Sequence, residues 1–123
     1  MKILAFFDDV EYAHLLESCL GQEDATVEMV CFDSIEELEQ VLSSGNEELS
    51  LLIVDAYSGG LEVVSRHPQR SILLTSPKYD RELELYATSV GAAGYFPRIQ
   101  DSDVVSYIIE QMKQMTFISS AIH

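Results

Sequence analysis

A chain of 123 residues matches one domain of ordinary size, and 47% apolar against 23% charged residues is the balance of a chain that buries a core. Seven Lys and Arg stand against 21 Asp and Glu, a formal net charge of −14. A surface that acidic repels a phosphate backbone and anionic lipid, which argues against direct nucleic-acid binding and against docking on an anionic membrane.

No apolar run approaches the ~20 residues that span a bilayer. Ile3 to Phe7 follows Met1-Lys2 in the manner of a secretory signal but stops after five apolar residues at Asp8-Asp9, so the expectation is a cytoplasmic protein. Cys19 and Cys31 lie in no metal-ligand or CxxC spacing and read as reduced core residues.

Ile3 to Phe7 is a continuous apolar run closed by two aspartates, the pattern of a central strand covered on both faces. Leu15, Leu16, Cys19 and Leu20 then recur at helical spacing, with Gly21 as the stop. Thr26 to Phe32 is a strand with Glu28 inside it, which places it at an edge. Ser34 opens a capping box with Glu37, and Ile35, Leu38, Val41 and Leu42 form the stripe of a second helix that ends near Gly45. Leu51 to Val54 repeats the first strand's pattern and runs into Asp55. Tyr57 to Gly60 is a loop, and Leu61 to Arg66 leaves room for only a stunted third helix before Pro68. Ile72 to Leu74 is a third buried strand halted by Thr75-Ser76-Pro77, and Asp80 to Val90 is a helix with Leu83, Ala87 and Val90 on one side. Gly94 to Phe96 is a short fifth strand ending at Pro97-Arg98, followed by a helix marked by Val105, Ile108, Ile109 and Met112. Residues 1–115 form one domain, and the apolar tail 116–123 either packs on it or begins a linker.

Five mostly continuous apolar strands alternating with five helices imply an α/β fold, a doubly wound parallel sheet of order 2-1-3-4-5 with helices on both faces. All strands of such a sheet point one way, so the residues just past their ends converge on one rim. Here these are Asp8, Asp9, Asp55, Thr75 and Arg98. Clustered carboxylates repel unless a cation neutralises them, and an all-oxygen donor set suits a hard ion such as Mg2+. The ion would hold a transferring phosphoryl group, with the hydroxyl and the cation on its other oxygens.

The acids of ILAFFDDV, the aspartate of LLIVDA, the threonine of SILLTS and the segment GAAGYFPRI, taken in this order, resemble the receiver domain of two-component response regulators over residues 2 to 115. The resemblance implies that Asp55 is the phosphoacceptor, Asp8 and Asp9 bind Mg2+ with it, Thr75 contacts the phosphoryl group, and Tyr95 is the aromatic switch residue. It also implies a histidine kinase or phosphotransfer protein as donor, a downstream protein or output domain as partner, and a homodimer through the fourth helix, fifth strand and last helix. Three features depart from the pattern: Arg98 stands where the family has lysine, proline precedes that position while Ile99 follows it, and the segment between Asp55 and Thr75 is short, with AYSGG as its loop. These departures leave open a pseudo-receiver, an interaction module that signals without phosphorylation.

Other readings compete residue by residue. The three aspartates also suit helix starts, Thr75 suits a turn, Arg98 suits plain neutralisation of the acids, and Tyr95 suits packing. His14, His67 and His123 have no ligand or carboxylate at useful spacing, and Glu36, Glu37, Glu39, Glu47, Glu48 and Glu110 read as solvated surface. A small metal-dependent phosphatase of related topology would need an acid or base beside its nucleophile, and none is evident. No phosphate-loop, dinucleotide or serine-hydrolase motif occurs, which removes the usual support for nucleotide hydrolysis and serine esterase chemistry, and the receiver resemblance implies a signalling module and not an enzyme.

Overall fold

The computed structural model describes residues 2–44, 50–98 and 102–122, with the side chains of Ser102 and 116–122 outside the description. Strands β1 (Lys2–Phe6), β2 (Glu28–Cys31), β3 (Leu51–Asp55), β4 (Ile72–Ser76) and β5 (Gly94–Pro97) form one sheet of order β2-β1-β3-β4-β5. All four pairings are parallel. The helices are α1 (Val10–Glu23), α2 (Ile35–Ser44), α3 (Gly60–Arg66), α4 (Arg81–Ser89) and α5 (Ser102–Ile122), with one 3-10 turn at Ala56–Ser58. No described helix is long and apolar enough to cross a membrane.

Side chains alternate across each strand, so the apolar runs feed two cores. Ile3, Ala5, Leu51, Ile53, Leu73 and Phe96 pack with Leu16 and Leu20 of α1 and with Val105, Ile108 and Met112 of α5. Leu4, Leu52, Val54, Ile72, Leu74 and Tyr95 pack on the other face with Leu38 and Leu42 of α2, Val63 and Val64 of α3, and Leu83 and Ala87 of α4. Every residue of β3 and β4 is buried, whereas Glu28 and Cys31 are exposed on β2, as an edge strand allows.

Several local boundaries differ from the sequence reading. Gly21 does not stop α1; the helix runs to Glu23, where the Asp24 carboxylate turns the chain by accepting the Thr26 N–H at 2.9 Å and the Thr26 hydroxyl at 2.6 Å. β4 continues through Thr75 and Ser76 because β5 pairs with both. α5 carries the helical backbone through Ile122, whereas the packing of the tail's side chains lies outside the described residues, as do Gly45, Glu47, Glu48, Ile99 and His123. Both cysteines are free, but Cys31 is a surface residue of the edge strand and not part of the core. Glu39 is also not free surface: its carboxylate lies 2.7 Å from His67 Nε2 and 3.6 Å from Arg66 Nη1, tying α2 to α3.

Candidate functional site

Parallel register builds the rim. Asp55 is the last residue of β3 and stands opposite Thr75 of β4, while Thr75 stands opposite Phe96 of β5. Arg98 follows Pro97, and its N–H donates to Ser76 O at 2.8 Å, which anchors the arginine's backbone at the sheet edge. Asp8 and Asp9 come off the end of β1, the strand on the other side of β3.

Within this rim the carboxylates have different tasks. Asp9 is the N-cap of α1, its Oδ1 accepting the Tyr12 N–H at 3.1 Å. Asp55 Oδ1 accepts the Tyr57 N–H at 2.9 Å and so caps the turn that follows β3, which leaves Oδ2 as its free oxygen. Arg98 Nη1 lies 2.6 Å from Asp55 Oδ2 and 3.2 Å from Asp8 Oδ1. The contact to Asp8 has hydrogen-bond alignment. The contact to Asp55 is a charge contact by distance only, and Oδ2 accepts no aligned hydrogen bond. Asp55 is 1% exposed and the Arg98 side chain 5%, so their attraction acts with little solvent screening, while Asp8, at 57%, faces water.

Two aromatic rings hold the guanidinium. Its Cζ lies 6.0 Å from the centroids of both Phe7 and Tyr12, and these rings meet edge to face at 5.4 Å. Burial pushes the Tyr12 phenol up to about 12, against the opposing pull of Arg98. Thr75 is fully buried, and its Oγ1 has no hydrogen-bond partner. A buried hydroxyl in this condition can donate to an acceptor oxygen brought to the rim.

Tyr95 is buried, and its hydroxyl is fixed by polar partners. It lies 2.6 Å from Ser76 Oγ, 3.3 Å from Lys78 O, and accepts the Asp80 N–H at 3.0 Å. Tyr57 reaches across to donate its hydroxyl to the Asp80 carboxylate. Sequence reasoning missed Ser76, Tyr57 and the Phe7–Tyr12 clamp. Only the capping pattern of Asp80, whose Oδ1 accepts the Leu83 N–H at 3.1 Å, carried a local signal.

Solved structures share this architecture. A signal receiver domain from Vibrio parahaemolyticus matches with a TM-score of 0.79 at 13% identity, over 98% of this chain and 95% of that one. The BeF3-activated N-terminal receiver domain of RstA from Klebsiella pneumoniae matches with 0.71 at 19%, over 89% and 96%. This chain has the receiver fold. NtrX from Brucella abortus, solved in complex with ADP, matches with 0.78 at 18% over 98% of this chain but only 28% of its own length. The receiver-like chain therefore spans little more than a quarter of that protein. No family model and no curated protein matches at the level of sequence.

The rim of this receiver fold fits Mg2+ in the kind of donors it offers and fits it only in part by placement. Asp8, Asp9 and Asp55 supply oxygen alone, as a hard ion requires. Among the described residues, however, no three Asp, Glu, His or Cys side chains converge on one point. Asp9 serves α1, and the Arg98 guanidinium spans the other two.

Proposed function

We propose that this chain is a receiver-type signalling module that accepts a phosphoryl group on Asp55 Oδ2 from a histidine kinase or phosphotransfer protein. The P–N bond of a phosphohistidine breaks as a P–O bond to the carboxylate forms, and the donor imidazole keeps the electron pair of the broken bond. The observation that carries this reading is the buried, unpartnered Thr75 hydroxyl set in register beside Asp55, a donor in want of an acceptor. A phosphoryl oxygen would supply one. Asp8, Asp9 and Asp55 would hold Mg2+, whose chemistry is to neutralise charge on the phosphoryl oxygens.

The guanidinium of Arg98 would follow the new negative charge away from Asp8, and the change would pass along β5 to Tyr95 and the face made by α4, β5 and α5. Leu85 and Tyr86 of α4, 61% and 48% exposed, support that face as the place where a downstream partner or a second copy docks. The module is not an enzyme in this reading.

A second reading is favoured by one observation: Asp55 is 1% exposed and its free oxygen is covered by Arg98, which suits a pseudo-receiver that signals through protein contacts alone. Beryllofluoride with Mg2+, followed by fluorine NMR, and acetyl phosphate labelling, followed by intact mass, separate the two. The expected result is an adduct on the wild-type chain and none on Asp55→Asn. A folded wild-type chain that takes neither reagent would leave the pseudo-receiver.

A further inference from the structure

The geometry points to Arg98 as a built-in counter-ion that keeps divalent metal out of the rim: metal and guanidinium are alternative occupants of the same carboxylates. This rests on the reading of Asp8, Asp9 and Asp55 as metal ligands, and it concerns what regulates that site.

Three observations carry it. First, the oxygens coincide. Asp55 has one free oxygen, because Oδ1 is spent on the Tyr57 N–H, and that oxygen is the one 2.6 Å from Arg98 Nη1. The same nitrogen lies 3.2 Å from Asp8 Oδ1. An ion on Asp55 Oδ2 must take an oxygen that the guanidinium already holds, and one joining it to Asp8 would sit beside the same nitrogen, which two cations cannot do without strong repulsion. Second, the guanidinium is positioned from outside the rim. Phe7 and Tyr12 stand at 6.0 Å on it, its side chain is 5% exposed, and its backbone N–H is tied to Ser76 O. A planar cation braced in this way loses little rotamer freedom on bridging two acids, in contrast to a lysine ammonium on a flexible stem. Third, Asp55 Oδ2, Thr75 Oγ1 and Tyr12 OH are all buried without an aligned hydrogen-bond partner, so the arrangement around Arg98 is neutralised by its charge contact with Asp55 but not hydrogen-bond complete. It is a closed state that a second occupant can replace.

Metal entry therefore requires the guanidinium to leave Asp55 and Asp8, and the metal affinity of the wild-type chain is lowered by the work of displacing it. The test uses Mg2+ alone, read by thermal shift, and Mn2+ alone, read by paramagnetic broadening of backbone amides, on the wild-type chain and on Arg98→Gln. Neither readout depends on phosphorylation. Arg98→Gln is expected to bind both ions at least about tenfold more tightly, as follows when a positive charge within hydrogen-bond reach is removed. Broadening should centre on Asp8, Asp9 and Asp55, and adding Asp55→Asn should abolish the gain. Unchanged or weaker binding by Arg98→Gln overturns the proposal.

Should Arg98→Gln fail to fold with Asp55 left unpaired, Arg98→Lys decides. It keeps the charge but not the planar fork or its contact with the two rings, so a tighter Mg2+ midpoint than wild type supports the proposal and an equal or weaker one overturns it. Failure of the functional reading is seen separately. Tighter metal binding with no beryllofluoride adduct in either protein rejects Asp55 phosphorylation and keeps the counter-ion role. A wild-type adduct with an unchanged metal midpoint does the reverse.

Discussion

Tyr95 and Ser76 meet hydroxyl to hydroxyl at 2.6 Å, linking β5 to the end of β4 beneath the loop that leads into α4. One proton assignment satisfies all of the groups. Ser76 donates to Lys78 O, Tyr95 donates to Ser76, and the Asp80 N–H donates to Tyr95. Removing the phenol oxygen orphans the Asp80 N–H. Tyr95→Phe is therefore expected to cost about 1–3 kcal/mol in urea unfolding. Amide hydrogen exchange should quicken at Asp80 while the β1–β3 ladder is unaffected.

The Tyr57–Asp80 contact gives the α4 cap an acid dependence. The Tyr57 hydroxyl first, and then the Leu83 N–H, hold the Asp80 carboxyl below its usual 3.8, while the same bond pushes the Tyr57 phenol up to about 12. A carboxyl depressed in the folded state stabilises it above the unfolded value and loses that contribution as pH falls through the folded one. The α4 cap should thus hold at pH 4 and loosen below it. In Tyr57→Phe the Asp80 carboxyl titration, followed by carbon NMR, should move up towards 3.8. An unmoved titration would remove the tyrosine as the cause.

Two glycines should respond to alanine with opposite sign. At Gly60 a Cβ would lie 2.5 Å from Asp55 O and 3.0 Å from Val54 Cγ2, so the backbone carrying the candidate acceptor must shift. Gly60→Ala is expected to destabilise by about 1–3 kcal/mol and to move the Tyr57 amide resonance, since that N–H reports on Asp55 Oδ1. Gly21 lies inside α1 with nothing within 4 Å of its added Cβ, and Gly21→Ala should stabilise by about 0.5–1 kcal/mol. Chemical denaturation of both variants checks the pair.

Thr75→Val separates stability from function. The valine keeps the shape of the buried residue and discards a hydroxyl that has no partner, so the free protein should gain on the order of 1 kcal/mol or stay level. Its beryllofluoride adduct should be weaker than that of the wild type. A clear loss of stability in the variant would mean that the hydroxyl already has a partner.

Much of the architecture was legible because burial on both faces writes itself into the chain. Leu51 to Val54 and Ile72 to Leu74 are unbroken apolar runs, and a strand covered by helices on either side has no solvent face to mark with polar residues. Capping was equally local. Ser34 accepts the Glu37 N–H at 3.2 Å, as the spacing of the capping box requires. Parallel topology brings the residues at the strand ends to one rim, so Asp8, Asp9, Asp55, Thr75 and Arg98 can be gathered from the sequence alone.

What each of them does at the rim was decided by tertiary structure. Three aspartates look alike in a sequence, yet Asp9 caps a helix, Asp55 divides its oxygens between the Tyr57 N–H and Arg98, and Asp8 shares that arginine while facing water. The difference comes from distances across residues far apart in the chain, such as the 90 positions that separate Asp8 from Arg98. The same holds for Glu39, read as surface and found against His67, and for Cys31, read as core and found on the exposed edge. Local pattern determines which residues reach an edge or a face, because hydrogen-bond periodicity acts over a few residues. Which charge meets which, and which side chain is shut from water, depends on contacts that exist only once both sheet faces are packed.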